Sequence, residues 1–203
     1  MWRFLRNALG FLVASTVLMA CATATQPDEM WMDPSYRSLP KKIMVVGVSR
    51  KPVNRRIFED EFVRQITAHN VEAVASYTVL PDELQGDHNA IAGKVKEMGA
   101  DTVLITRVTG KKTVKTYVPG FYPPPYYGTW PDYYGYGYNA MYSPGFMAEE
   151  EITVIETNLY DASNDRLIWG STTEVVKRGS SQDRINRYIG IVMKAMAAQG
   201  LFY

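Results

Sequence analysis

Cysteine is almost absent from this chain. Cys21 is the only one in 203 residues, and histidine occurs twice, at His69 and His88. A single thiol cannot close an internal disulfide. With two separated histidines it offers no metal-ligand spacing of the HExxH or CxxC kind. No metal and no cofactor are therefore expected. An excess of one charge is missing too, since 22 basic side chains stand against 21 acidic ones. A near-neutral chain lacks the electrostatic footprint of a nucleic-acid binder, so no nucleic-acid partner is expected. No GxSxG nucleophile elbow occurs. Beyond the N-terminus no apolar run is long enough to cross a hydrocarbon core of roughly 30 Å.

What is present begins with MWRFLRNALGFLVASTVLMAC. Arg3 and Arg6 form a basic start. Ala8 to Val17 is a short apolar stretch broken only by Ser15 and Thr16. A charged start, a short apolar run and small residues at its end read as a secretory signal rather than part of a domain. The run Leu18-Met19-Ala20-Cys21 resembles the lipobox of bacterial lipoproteins. That resemblance implies that residues 1–20 are cleaved away between Ala20 and Cys21. It also implies that the Cys21 thiol takes a diacylglycerol and that its new amino group is acylated. Each buried methylene contributes about 0.8 kcal/mol, so two or three chains hold a protein where one is marginal. The resemblance further implies that Ala22, in place of an aspartate, sends the protein to the outer membrane of a Gram-negative host, facing the periplasm. In another host it implies a lipid anchor in the cell membrane.

Residues 22–40 carry three prolines and no regular apolar period, and read as a tether. Residues 41–203 read as one domain, within the size a single core supports. Ile43 to Val48 is a continuous branched apolar run, the pattern of a strand buried on both faces. Phe58, Phe62 and Ile66, at four-residue spacing, predict an amphipathic helix from about Val53 to Ala68, with Ser49 or Asn54 as its cap. Val71 to Tyr77 reads as a strand. His88 to Met98 reads as a helix closed by Gly99, and Asp101 to Thr109 as a third strand. After an insert, Glu150 to Tyr160 and Arg166 to Val176 form a hairpin across the DASND turn. Ser181 to Gln199 is a last helix, with Ser180 among its candidate caps. The expected fold is α/β, a single domain with a mixed β-sheet and helices packed on it, in the order β-α-β-α-β-insert-β-β-α.

That order, with YDASNDRLIWGSTTE in the last hairpin, resembles uncharacterised bacterial periplasmic lipoprotein domains. In them a polar turn is followed by an apolar residue, Trp and a small residue, here Ile168, Trp169 and Gly170. It also resembles the small α/β domain shared by the curli secretion-pore subunit and the N-terminal domain of the Tol-system propeller protein. The resemblance spans about Lys41 to Gln199 outside the insert. It implies the fold and carries over no functional residue.

The insert, residues 117–146, is crowded with tyrosine, proline and glycine and has one charge, Asp132. Its six prolines forbid a continuous strand or helix. Loops this long are usually functional or disordered. The candidate contact residues are Tyr122, Tyr126, Tyr127, Trp130, Tyr133, Tyr134, Tyr136 and Tyr138. Tyrosine supplies large contact area with few rotors to freeze. Three readings stay open: a contact surface for an envelope protein or a peptidoglycan or other glycan, a segment lying at the lipid interface beside the anchor, or a plain linking excursion.

Other groups are weaker candidates. Ser49 to Lys51, with Arg55 and Arg56, could hold an anion at a helix start, but the pattern matches no phosphate-binding loop. Glu59, Asp60 and Glu61, and Glu149 to Glu151, are acid clusters for which a solvated face is the simpler reading, with Glu59 or Asp60 pairing with Arg55, Arg56 or Arg64. No catalytic residue is expected. The function read from the chain is that of a lipid-anchored binding or assembly factor in the cell envelope. The alternatives are a cell-wall or glycan-processing enzyme, with acids or a histidine facing each other in a cleft, and a subunit of an outer-membrane secretion or export assembly.

Overall fold

The structure, a computed structural model, describes residues 27–120 and 128–202 and leaves out the side chain of residue 140. Six strands form one mixed sheet: β1 Glu29–Met32, β2 Lys42–Val48, β3 Glu72–Ala75, β4 Thr102–Val118, β5 Phe146–Asp161 and β6 Leu167–Val176. Their order in space is β1-β6-β5-β4-β2-β3. β2 pairs parallel with β3 and β4, and the remaining pairs are antiparallel. Among the described residues four α-helices accompany it: α1 Pro52–Ala68, α2 His88–Glu97, α3 Trp130–Tyr142 and α4 Ser181–Ala198. The α/β reading and the mixed sheet expected from the periodicities are present.

α1 and α4 cover one face of the sheet. Phe62 and Ile66 from α1 meet Tyr188, Ile189, Val192 and Met196 from α4 over Ile43, Leu104, Leu159 and Trp169, all almost fully buried. The Tyr188 ring takes Phe58 and Phe62 at 5.8 and 6.3 Å, the second edge-on. Its hydroxyl bonds Thr157, which bonds Thr106 at 2.5 Å, so β4, β5 and α4 are pinned by one chain of hydroxyls. Burial pushes the Tyr188 phenol up, with the two threonines opposing the rise. α2 covers part of the other face, where Met44 and Val46 meet Val95. β2 is therefore apolar on both sides because both sides are covered. Ser180 and Asp183 form a reciprocal cap at the start of α4, a device worth about 1 kcal/mol.

Three expectations are corrected. Within residues 22–40, read as a tether, Glu29–Met32 add an edge strand to β6. Three of its four side chains are exposed, so backbone pairing makes this strand, and no alternation marks it in sequence. Within the insert, Trp130–Tyr142 form a helix despite the prolines. Pro131 sits in its first turn, where no N–H partner is required, and the next proline is Pro144. Thr129 caps the helix, exchanging bonds with Asp132. Finally, Lys51 stands at the N-cap of α1, which has no side-chain cap from either Ser49 or Asn54.

Candidate functional site

β4 and β5 are far longer than their neighbours. β2 pairs with β4 only as far as Arg107, and β6 pairs with β5 only from Ile152 onward. Beyond those points β4 and β5 continue as a two-stranded arm to the pair Val118 and Phe146. The register of β4 against β5 shifts between Val108 and Gly110, just past the last pairing of β4 with β2. A bulge there bends and twists the ribbon. The shaft of the arm is charged. Lys115 pairs with Glu149 at 2.7 Å and Lys112 with Glu174 at 2.5 Å, while Lys177 holds Glu151 and Arg178 holds Glu150. The acid cluster Glu149 to Glu151 is thus employed in cross-strand pairs. Lysines along such a ribbon also discourage edge-to-edge pairing.

Past Lys115 and Glu149 the character changes abruptly. Tyr117, Phe146 and Met147 are exposed, and α3 follows with Trp130, Tyr133, Tyr134, Tyr138, Met141 and Tyr142 exposed as well. Trp130 is 80% accessible. Trp130, Tyr134, Tyr138 and Tyr142 recur every fourth residue and so form one stripe. The rings of Tyr134 and Tyr138 lie 6.3 Å apart and those of Tyr138 and Tyr142 4.8 Å. Two glycines let the tip close. A Cβ on Gly120 would strike the carbonyl oxygen of Ser143, and one on Gly145 would strike the Tyr117 ring.

Of the contact residues expected from sequence, Trp130, Tyr133, Tyr134, Tyr136 and Tyr138 come together on α3, with Tyr136 half-buried. Tyr122, Tyr126 and Tyr127 lie outside the described residues, as do Ala20 and Cys21. The tip also includes Tyr117, Met141, Tyr142, Phe146 and Met147, which stand outside that expected set. The four-residue aromatic period is visible in the sequence and would have found α3 and Tyr142.

A second feature is a groove of about 1060 Å³ beside α2. Val103, Ile105, Ile91 and Val95 make its apolar floor, and Tyr36, Lys41, His88, Asp101 and Asp161 stand along it. Its acids serve as local acceptors. Asp101 accepts from the backbone N–H groups of Lys41 and Lys42. Asp161 accepts from the backbone N–H and hydroxyl of Ser163, which hold its carboxyl below the usual carboxylate range. Burial, with Asp101 and Asp161 nearby, pushes the Tyr36 phenol up to about 12.

Elsewhere, the Ser35 bonds to Asp33, the Ser180 bonds to Asp183 and the Arg64 bond to Glu61 depress those carboxyls in the same way. A depressed folded pKa contributes stability that is present above the ordinary carboxylate value near 4 and is lost as pH falls through the folded value. The urea midpoint should therefore be flat from pH 7 to 5 and drop below pH 4. Asp161→Asn should shallow that drop, and an equal drop in the variant would contradict the assignment.

The third feature is buried. Arg55, on α1, is turned inward and fully covered. Its guanidinium donates to Glu59 at 2.9 Å, Asp82 at 2.7 Å, Ser76 at 2.9 Å and the Leu80 carbonyl at 3.4 Å. Glu59 also accepts from the Gly47 and Tyr77 backbone N–H groups. Arg56 pairs with Asp82 at 3.2 Å. Arg55 and Arg56, both considered for an anion site beside Ser49, are thus engaged elsewhere. His69 stacks on Phe202 at 5.2 Å, and His88 begins α2 at the groove. No group of three or more His, Cys, Asp or Glu side chains that could hold a metal occurs among the described residues.

No family model and no curated protein matches the chain. Solved structures do resemble it. One is a PelC dodecamer from Paraburkholderia phytofirmans, at 13% identity over 86% of this chain and 98% of that one, with a TM-score of 0.46. Another is lipoprotein GNA1162 from Neisseria meningitidis, at 15% identity over 78% and 99%, with a TM-score of 0.42. A third is a minor lipoprotein from Acinetobacter baumannii, at 8% identity over 79% and 94%, with a TM-score of 0.35. Bacterial lipoproteins are thus among the folds this chain is similar to.

Proposed function

We infer that this chain is a lipid-anchored cell-envelope protein that works by contact rather than by catalysis, held by acyl chains on Cys21. In a Gram-negative host it faces the periplasm from the outer membrane. The observation that carries the reading is the arm: a ribbon that leaves the sheet and ends in a patch of aromatic side chains. An isolated two-stranded ribbon is at best marginally stable in water, so the fold gains little from it. Exposed apolar patches of this kind mark interaction sites. The lipobox-like Leu18 to Cys21 supports the anchor. The groove's acids support a non-catalytic role, because glycan hydrolysis needs one carboxyl with a raised pKa facing another. Asp161 is shifted the opposite way.

The test is to replace residues 119–145 with a short Gly-Ser turn. The domain should keep its urea midpoint, since the tip lies outside both core clusters. Crosslinking in intact cells should lose its envelope contacts. Unchanged crosslinks in the deletion variant would remove the arm from the function.

A further inference from the structure

We propose that the aromatic tip of the arm docks into the interfacial layer of the same lipid surface that the Cys21 acyl chains enter. This rests on the anchoring reading and adds what the tip touches. Three observations lead to it.

The first is direction. β1 is antiparallel to β6, so the chain preceding Glu29 heads toward the tip of the arm. Asp28 continues that course. Its N–H donates to the Thr172 carbonyl, and its carboxylate accepts from the Glu174 N–H at 2.5 Å. The chain that leads back to Cys21 and the arm therefore leave the body at the same end.

The second is reach. Glu29 stands beside Thr172, and Thr172 beside Glu156. Phe146 lies ten positions further along β5, which is roughly 33 Å at ~3.3 Å per residue. Cys21 precedes Glu29 by eight residues, a covalent reach of at most about 29 Å. At that full reach the base of the tip lies roughly 4 Å beyond Cys21. Interfacial side chains sit about 5–10 Å into the headgroup and acyl boundary, so the two depths agree. A lipid attached at Cys21 cannot hold the domain much further from the bilayer than the arm is long.

The third is composition. Between Lys115 and Glu149 the only charge is Asp132, and its carboxylate is held by Thr129. The large exposed side chains of the tip are Trp, Tyr, Phe and Met. Trp and Tyr prefer the water–hydrocarbon boundary, with rings in the apolar layer and polar ends in the headgroups. The ion pairs of the shaft begin just behind it, at Lys115 and Glu149, which sets a depth limit. Among the described residues no helix is long and apolar enough to cross a membrane. At ~1.5 Å per residue α3 spans about 20 Å, suited to lying at the boundary.

The test uses the full acylated protein reconstituted into phosphatidylethanolamine–phosphatidylglycerol vesicles, some made with lipid brominated in its upper acyl chain. Trp31→Phe is used as background, leaving Trp130 exposed and Trp169 buried. Bromine should quench part of the tryptophan emission, and Trp130→Phe should abolish that quenching. Flotation of the same vesicles reports the anchor separately. Protein that floats without Trp130 quenching overturns the docking and leaves the anchor standing. Trp130 shielded from acrylamide yet untouched by bromine means that another copy of the chain, not lipid, covers the tip, which also overturns it. Failure to float sinks the anchor and the docking with it.

Discussion

Replacing Arg55 by methionine is expected to destabilise the fold by about 3–5 kcal/mol, because it leaves buried charge uncompensated. The guanidinium is fully covered and serves four acceptors on three separate segments. Glu59, equally buried, keeps its bonds from Gly47 and Tyr77 but loses its cation. Asp82 keeps the longer contacts from Arg56 at 3.2 Å and Gln85 at 3.3 Å. The network ties α1 to the end of β2 and to the turns after β3. A domain of this size has roughly 5–15 kcal/mol in total, so the loss is a large share. With urea slopes of about 1–3 kcal/mol per molar, the midpoint should fall by more than about 1 M. Arg55→Lys should recover only part, since an ammonium cannot reproduce the planar fork. A change below about 1 kcal/mol for the methionine variant, less than one ordinary hydrogen bond to a charged group, would mean that the network is dispensable.

Replacing Cys21 by serine is expected to move the protein wholly from the membrane to the soluble envelope fraction, or to strand it uncleaved with its leader. The hydroxyl cannot form the thioether that the lipobox resemblance implies. A single acyl chain binds a bilayer with a constant on the order of 10⁴ M⁻¹, so several chains decide the partition almost completely. Aromatic docking of the tip alone is not expected to retain the domain. Labelled palmitate should enter the wild type and be absent from Cys21→Ser. Equal labelling of the two would place the lipid elsewhere, and no labelling of either would remove it.

The two experiments act on different parts of one arrangement. Arg55 ties together the body of the domain, and Cys21, on the proposed reading, sets where that body sits. Between them, the arm needs a firm base. Its root at the Val108–Gly110 bulge grows out of β4 and β5, and both strands are locked to α4 through Thr106, Thr157 and Tyr188. A tip presented on such a base loses little orientation, which favours contact at a fixed distance from the anchor.

Much of the body was legible in the sequence. The unbroken run Ile43 to Val48 announced a strand covered on both faces, and Phe58, Phe62 and Ile66 announced the helix that covers one of them. Short-range periodicity carries that information because each side chain's burial depends on its position within one element. The Ser180 cap and the hairpin across DASND were legible for the same reason. What the chain alone did not disclose depends on partners distant in sequence. β1 exists because β6, far along the chain, leaves an edge open, and the side chains of β1 say almost nothing about it. Arg55 was legible as a partner of Glu59 four residues on, but not as a buried hub, which needed the fold to bring Ser76, Leu80 and Asp82 around it. The length of the arm, and its pointing the same way as the chain that precedes Glu29, follow from strand pairing, which no local pattern encodes. Sequence decided which segments are apolar, aromatic or charged. Tertiary structure decided that the aromatic ones stand clear of the core, at the end from which the lipid would emerge.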